Sequence, residues 1–487
     1  MLRRLCTGLA ALPLLLGVLP ARAIDRVELQ LPLLEVSFTV SLRELENPEA
    51  LWQGDSDLAE LNRASSGALG RQLQRVFHTP LPVQTQAVLG QMSGTPLLEQ
   101  AMLAATTLGR VNGVPKDLSG SDLSLALERA SAAGELTLIS FLRALPGDSV
   151  TVDLPHAVSG LQRMVSQRRQ AEALVARIPA ASLSPAALNP GPFAVRRSVI
   201  LVPAAHRNGE LEVVRLEPER DGRSKVVLIS HGLWDSPESF EGWATHLASH
   251  GYQVVLPRHP GSDSSQQEAM LSGKMPPPSP DELRYRPMDV SATIDALGVS
   301  EVVMIGHSWG ATTALQVAGV QPSSSRLERR CRDLNDPDRN LSWVLQCSFL
   351  TAADRAGLAD RRVRAVVAVS PPMSLLFDYG SAQAMTARAL LVSGSRDWVV
   401  SPDPEALVPA QPGLALGHQI VLADGGDHFN LRAPAGGDGG PLRALLLAWT
   451  NAAFAAGPQM VVPGPQAKPL LPPAGWGNDL IPLVLVP

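Results

Sequence analysis

The run EVVMIGHSWGATTALQVAG, residues 301–319, reads as three pieces. Glu301 to Ile305 is an apolar stretch of the kind that forms a buried strand. Trp309 to Gly319 is rich in Ala, Thr and Leu, lacks proline, and is expected to be helical. Between them, Gly306-His307-Ser308-Trp309-Gly310 fits the pattern G-x-S-x-G. In that pattern a serine sits on a sharp strand-to-helix turn, and the glycines remove side chains that would collide there. The context predicts that Ser308 is held up as a nucleophile. The pentapeptide alone would equally suit a plain tight turn. A helix starting at Trp309 also brings free backbone N–H groups to the serine, where an oxyanion would form.

A serine hydroxyl needs a base, and in a strand–turn–helix setting of this kind the partners are expected in the order Ser, acid, His. His428 stands in LADGGDHFNL, after the last strand-like run of the alternating part of the chain. Asp397 stands in LLVSGSRDWVVSP, after the run before it. The expected triad is therefore Ser308, Asp397 and His428. Asp378, Asp403 and Asp427 compete for the acid role; Asp427 adjoins His428 and is expected to shape the loop instead. The loop in VVLISHGLWDSPESF is expected to supply a second oxyanion donor, so the donors are the backbone N–H groups of Leu233 and Trp309. His231 is read as a brace for that loop. His246, His250 and His259 read as ordinary surface or structural histidines. Trp234, Trp309 and Trp398 neighbour these elements and either wall an apolar substrate pocket or pack beneath the loops.

Working outward, strand-like runs lie at residues 225–230, 252–257, 301–305, 363–369, 388–393 and 418–422, with helical stretches between them and a hairpin before them. Apolar strands alternating with helices predict a mainly parallel central sheet with helices on both faces, over residues 195–456. Residues 320–362 are too long for a simple connection and are expected to form a cap or lid. They hold Cys331 and Cys347, which could form a disulfide or remain buried thiols. Residues 24–176 are expected to form a separate, mostly α-helical domain that opens with the strand-like VELQLPLLEVSFTV. SDLSLALERASAAG and HAVSGLQRMVSQRRQAEALVARI are its clearest helices, the second with a basic face read as solvated. Residues 177–194 are Pro/Ala-rich and read as a linker. Residues 457–487 read as a Pro-rich tail packed as an extended strap. A chain of 487 residues has room for these two domains.

Residues 1–23, MLRRLCTGLAALPLLLGVLPARA, have a basic start, a short apolar core and an Ala-Arg-Ala site, the pattern of a secretory signal peptide. The expected location is periplasmic or extracellular, with no transmembrane segment in the mature chain. A formal charge of −5 and the lack of a basic block argue against nucleic acid as a partner. No Cys/His cluster has metal-ligand spacing, and no cofactor or metal is expected.

Three stretches carry a family resemblance: SHGLWDSPESFEGWATHLASHGYQVVLPRHPGSDS, GHSWGA and SGSRDWVVSP…GGDHFNL. Together they resemble α/β-hydrolases of the predicted dienelactone-hydrolase and platelet-activating-factor-acetylhydrolase-like set, over roughly residues 195–456. That resemblance implies Ser308 as nucleophile, His428 as base, and Leu233 and Trp309 as oxyanion donors. CRDLNDPDRNLSWVLQC resembles the insertion of bacterial members. Residues 24–176 resemble an uncharacterised helical domain fused to such hydrolases in photosynthetic bacteria, with no activity implied. Two departures stand out. Dienelactone hydrolases use Cys where this chain has Ser308. The platelet-activating-factor enzymes carry their acid after the earlier strand, which here ends in VSPPM.

The expectation is an exported serine hydrolase of carboxylic esters, acting on lipid or short-acyl substrates. A lactonase or peptidase on the same triad, or a binding protein on this fold, are the competing readings. The N-terminal domain is expected either to bind a partner or to cover the active-site mouth.

Overall fold

A computed structural model describes residues 24–30, 37–80, 88, 91–114, 118–220, 224–456, 462–465 and 467–487. The signal-peptide expectation, residues 1–23, lies outside them. Four strands belong to the N-terminal domain: Arg26–Gln30 (β1), Ser37–Ser41 (β2), Gly109–Asn112 (β3) and Ser149–Asp153 (β4). They form a sheet in the order β2-β1-β4-β3. Nine more form the large sheet: Val195–Ala204 (β5), Gly209–Pro218 (β6), Val226–Ser230 (β7), Gln253–Pro257 (β8), Val302–His307 (β9), Val363–Val369 (β10), Arg388–Gly394 (β11), Gln419–Ala423 (β12) and Leu483–Val486 (β13). Their order is β13-β12-β11-β10-β9-β7-β8-β6-β5.

The pairs from β8 through β7, β9, β10 and β11 to β12 are all parallel. Their apolar runs explain why. β7, β9, β11 and β12 are buried at every position, as expected for strands covered on both faces. The two faces alternate with a period of two. Val226, Leu228, Val302 and Met304 enter one core; Val227, Ile229, Val303 and Ile305 enter the other. The order also fixes where chemistry can sit. The chain runs from β7 to β8 on one side, then crosses back to β9 on the other side of β7. The carboxyl ends of β7 and β9 flank that reversal, where ligands bind in open α/β sheets.

Three expectations change in the structure. First, the N-terminal domain is not only helical. Its helices, among them Pro96–Ala105, Gly120–Ala133 and Leu154–Val175, accompany the four-stranded sheet. β3, at four residues, is too short to be distinguished in the sequence from loop. Second, residues 177–194 are no free linker. Ala181 donates to the Leu483 carbonyl at 2.8 Å, Gly191 to Ser249 Oγ at 2.8 Å, and Arg443 Nε donates to the Leu188 carbonyl at 3.0 Å. Pro and Ala content signalled the lack of regular structure but not its docking. Third, the basic face of Leu154–Val175 is not simply solvated: Arg163 donates to the carbonyls of Asn335 and Asp336, and Gln167 to that of Pro337. The tail packs as a strap and ends as β13, antiparallel to β12.

The insertion holds two short helices, Ser324–Arg330 and Ser342–Ser348. Cys331 and Cys347 are joined by a disulfide that ties them. A bridge closing a loop of this size stabilises by about 3 kcal/mol in the chain-entropy account. The Cys331→Ser/Cys347→Ser double variant is therefore expected to unfold at lower urea, by an amount equivalent to about 3 kcal/mol. Coincident unfolding curves for the two proteins would contradict it.

Candidate active site

Strand β9 ends at His307, and Ser308 takes φ 55° and ψ −125° before the helix Trp309–Val317 begins. That is a strained region for a side chain, held by its surroundings. The glycines make it possible. A Cβ on Gly306 would lie 2.0 Å from the Gly310 carbonyl oxygen, and one on Gly310 would lie 2.1 Å from that of Ser230. The turn is pinned by the Ser308 N–H, which donates to the Val369 carbonyl at 2.8 Å.

Asp397 follows β11 and His428 follows β12, so the parallel pairing of these strands brings the two loops together. They are stitched by the Arg396 N–H to the Gly426 carbonyl at 2.8 Å and the Gly425 N–H to Ser395 Oγ at 2.9 Å. Asp397 Oδ2 lies 2.9 Å from His428 Nδ1, and Oδ1 accepts from the N–H groups of Val399 and Val400. The carboxylate is thus fixed at both oxygens and buried. Ser308 and His428 line one cavity of about 540 Å³. Among the described residues neither Ser308 Oγ nor His428 Nε2 has a hydrogen-bond partner. The other acids sit elsewhere. Asp378 accepts from Ser325 Oγ, and Asp427 caps its own loop through the N–H groups of Phe429 and Asn430.

The loop after β7 lies against the turn: a Cβ on Gly232 would meet Ser308 Cβ at 3.1 Å. Its brace is a group the sequence reading missed. Arg286 is fully buried and donates to the His231 carbonyl at 2.7 Å, to the Gly232 carbonyl at 3.0 Å and to Ser262 Oγ at 2.8 Å. Its guanidinium also covers the Trp309 ring at 4.3 Å. The C=O and N–H of a trans peptide point to opposite sides. Anchoring the Gly232 carbonyl therefore turns the Leu233 N–H away from Arg286. His231 donates from Nδ1 to the Gly232 carbonyl and accepts the His259 N–H at Nε2, so it is a neutral brace.

Behind this loop stands a buried charge network. His259 bridges Ser230 Oγ at 2.9 Å and Asp289 at 2.8 Å. Asp289 also pairs with His206 and Arg207, and Arg207 pairs with Glu282. Burial opposes the charge of Asp289, but hydrogen bonds from His206, His259 and Arg207 hold its carboxyl well below the usual range. Burial pushes Arg286 down to about 9. Glu282, Arg286 and Asp289 share one face of the helix Glu282–Leu297 at i, i+4 and i+7. In sequence such a face reads as solvated, which is why it was missed. His307 was missed too. Its Nε2 donates to the His428 carbonyl at 2.9 Å, bracing the loop that carries His428.

The tryptophans divide. Trp234 lines the cavity, its indole N–H donating to Gln266 Oε1 at 2.9 Å. The Trp309 ring is core, packed on Phe349 at 4.7 Å between ring centres. Trp398 does not line the cavity. It is 52% exposed and tilts against Phe429, whose ring takes the wall position instead. Met92, Leu97, Leu98 and Ala101 of the N-terminal domain also line the cavity. Nothing local in the sequence linked them to a site more than 200 residues downstream. Among the described residues no group of His, Cys, Asp and Glu is placed to hold a metal ion, and no helix is long and apolar enough to cross a membrane.

Comparison with known proteins agrees with this architecture. A family described as "alpha/beta hydrolase fold" matches residues 225–326, from β7 through Ser308 into the cap. A second, "Alpha/beta hydrolase of unknown function (DUF1400)", matches residues 23–153, the N-terminal domain. A curated protein from Caballeronia sordidicola, "Epoxide hydrolase", is 30% identical over 115 residues, which is 22% of this chain and 31% of that protein. The chain thus spans under a third of that relative's length. The large domain has the α/β-hydrolase fold, with a mainly parallel sheet, antiparallel only where β13, β6 and β5 join it, and a cap insertion.

The buried histidines make stability pH-dependent. Burial pushes His246, His259 and His418 each down to about 4, and His231 and His307 well below their ordinary 6.5. The unfolded chain therefore binds more protons than the folded one between about pH 6.5 and 4, and folding stability falls as pH drops through that window. Urea midpoints measured at steps from pH 7 to pH 4.5 are expected to decline, mainly below 6.5. A flat profile would contradict the neutral, buried state of these rings.

Proposed function

We propose that the chain is a serine hydrolase of carboxylic esters that works through an acyl-enzyme. The carrying observation is the 2.9 Å contact between Asp397 and His428, with His428 and the strained Ser308 lining one cavity. Ser308 Oγ attacks the ester carbonyl carbon while His428 Nε2 takes its proton. The tetrahedral oxyanion is bound by the N–H groups of Leu233 and Trp309. The intermediate collapses, and the alcohol leaves with the proton from His428. Water then repeats the sequence and releases the acid. Asp397 keeps the imidazole in the tautomer that leaves Nε2 free to accept, and stabilises its charged form. Arg286 and His231 act as positioning residues that fix the Leu233 N–H.

The resemblance to dienelactone-hydrolase and platelet-activating-factor-acetylhydrolase-like proteins supports esters as the substrate class. The epoxide-hydrolase relative raises a second reading, which bond chemistry disfavours. Attack of a serine hydroxyl on an epoxide carbon would leave an alkyl ether on Ser308, and water does not release an ether as it releases an ester. A lactone or peptide carbonyl would fit the same steps, so a substrate panel discriminates among them. Export belongs to the same reading. It is supported by the sequence of residues 1–23 and accords with a disulfide in the cap.

With p-nitrophenyl acyl esters, Ser308→Ala is expected to abolish turnover and labelling by a fluorophosphonate probe. Asp397→Asn is expected to lower kcat by up to about 10⁴ with little change in folding. Unchanged turnover in Ser308→Ala would overturn the assignment. Failure of the unaltered protein to form a fluorophosphonate adduct at Ser308 would favour a binding protein.

A further inference from the structure

Part of the cavity wall does not belong to the sheet domain. Met92, Leu97, Leu98 and Ala101 reach it from the N-terminal domain. Leu97 and Leu98 are buried, 8% and 6% exposed, and Leu97 is part of the same apolar core as β7 and β9. Thr95 and Pro96 start the helix that presents them, Pro96–Ala105. That helix packs on Ser342–Ser348 of the cap, whose Ser342, Val344 and Leu345 also line the cavity. The disulfide at Cys347 anchors the cap helix in turn.

The docking has further polar support. Arg163 and Gln167 bind cap carbonyls. Glu172 pairs with Arg396, the residue before Asp397, at 3.2 Å. That pair is largely exposed and worth little by itself. Apolar packing of Leu97 and its neighbours therefore supplies most of the hold.

The wall also states what it can hold. Apart from the imidazoles of His307 and His428, its ionisable members are Asp235 and Arg432, and they pair with each other at 3.0 Å. No unpaired charge among the described lining residues is left for a carboxylate, phosphate or ammonium group on the substrate. Leu233, Trp234, Met270 and the four N-terminal side chains are apolar bodies. A volume of about 540 Å³ is that of a pocket for a drug-sized ligand, far more than an acetyl group fills.

We infer that the N-terminal domain is the acyl-binding wall of the enzyme: Met92, Leu97, Leu98 and Ala101 set the length of acyl chain accepted, and the substrates are esters of uncharged, medium-length acyl groups. The inference rests on the ester-hydrolase reading and assigns the substrate class to it. Each methylene moved from water into such a wall raises kcat/KM by about fourfold, until the chain meets the far side.

The test uses the full chain and a p-nitrophenyl ester series from acetyl to hexadecanoyl. The unaltered protein is expected to show an optimum near octanoyl to dodecanoyl. Ala101→Trp and Leu98→Trp fill the wall and are expected to move the optimum to shorter chains. Met92→Ala/Leu98→Ala opens it and is expected to move the optimum to longer chains. Ala105→Trp, on the exposed side of the same helix, is expected to leave the optimum in place. Fluorophosphonate labelling of Ser308 is measured for every protein and reports a folded, competent site. Labelled filling and opening variants that keep the original optimum would overturn the inference while leaving the ester-hydrolase reading intact. An optimum at acetyl in the unaltered protein would also overturn it. Absence of label on the unaltered protein would instead remove the reading beneath it.

Discussion

Everything in the site follows from how closely three backbones meet at one corner. The end of β9, the start of the following helix and the end of β7 come together with no room for a side chain at Gly306 or Gly310. That contact forces Ser308 to a positive φ and sets its side chain off from the strand. It also places the loop after β7 within reach of the serine. The cost of such a backbone is on the order of 1–3 kcal/mol. It is offset by the fully buried apolar faces of β7 and β9 and by the hydrogen bond from Ser308 to β10.

The remaining partners are delivered by register. Because β10, β11 and β12 run parallel and in sequence, their carboxyl ends lie side by side. The Asp397 and His428 loops then need only local bonds to lock together, and Ser395, Arg396, Gly425 and Gly426 supply them. β13 covers the outer edge of β12. An otherwise open edge strand, directly below the His428 loop, is thereby paired.

Much of this was legible in the chain because it is local. A glycine-flanked serine between an apolar run and a helix declares its geometry within ten residues. The order Ser308, Asp397, His428 needs only the alternation of strands and helices. Other features arise at a distance. Arg286 and Asp289 look like a solvated helix face until the fold buries them. The 177–194 segment looks like a spacer until its carbonyls and N–H groups find partners in the sheet domain and the tail. Trp398 sits beside Asp397 in sequence, yet a turn of backbone sends its ring outward and leaves Phe429 on the wall. The apolar side chains of Pro96–Ala105 read as ordinary core, and they are core, though of a shared one.

The charge network behind the loop after β7 has a bearing on how this protein can change over evolutionary time. Arg207 and Arg286 are balanced by Glu282 and Asp289; Arg286, Glu282 and Asp289 are buried, and the Arg207 side chain is 10% exposed. Losing one leaves a buried charge without its counterpart, at about 3–5 kcal/mol. That is much of a typical domain's stability. Descendants of this chain can therefore alter the set only in compensating pairs, or not at all. Exposed residues away from the cavity are free to drift one at a time, while the support of the loop after β7 is passed on as an indivisible block.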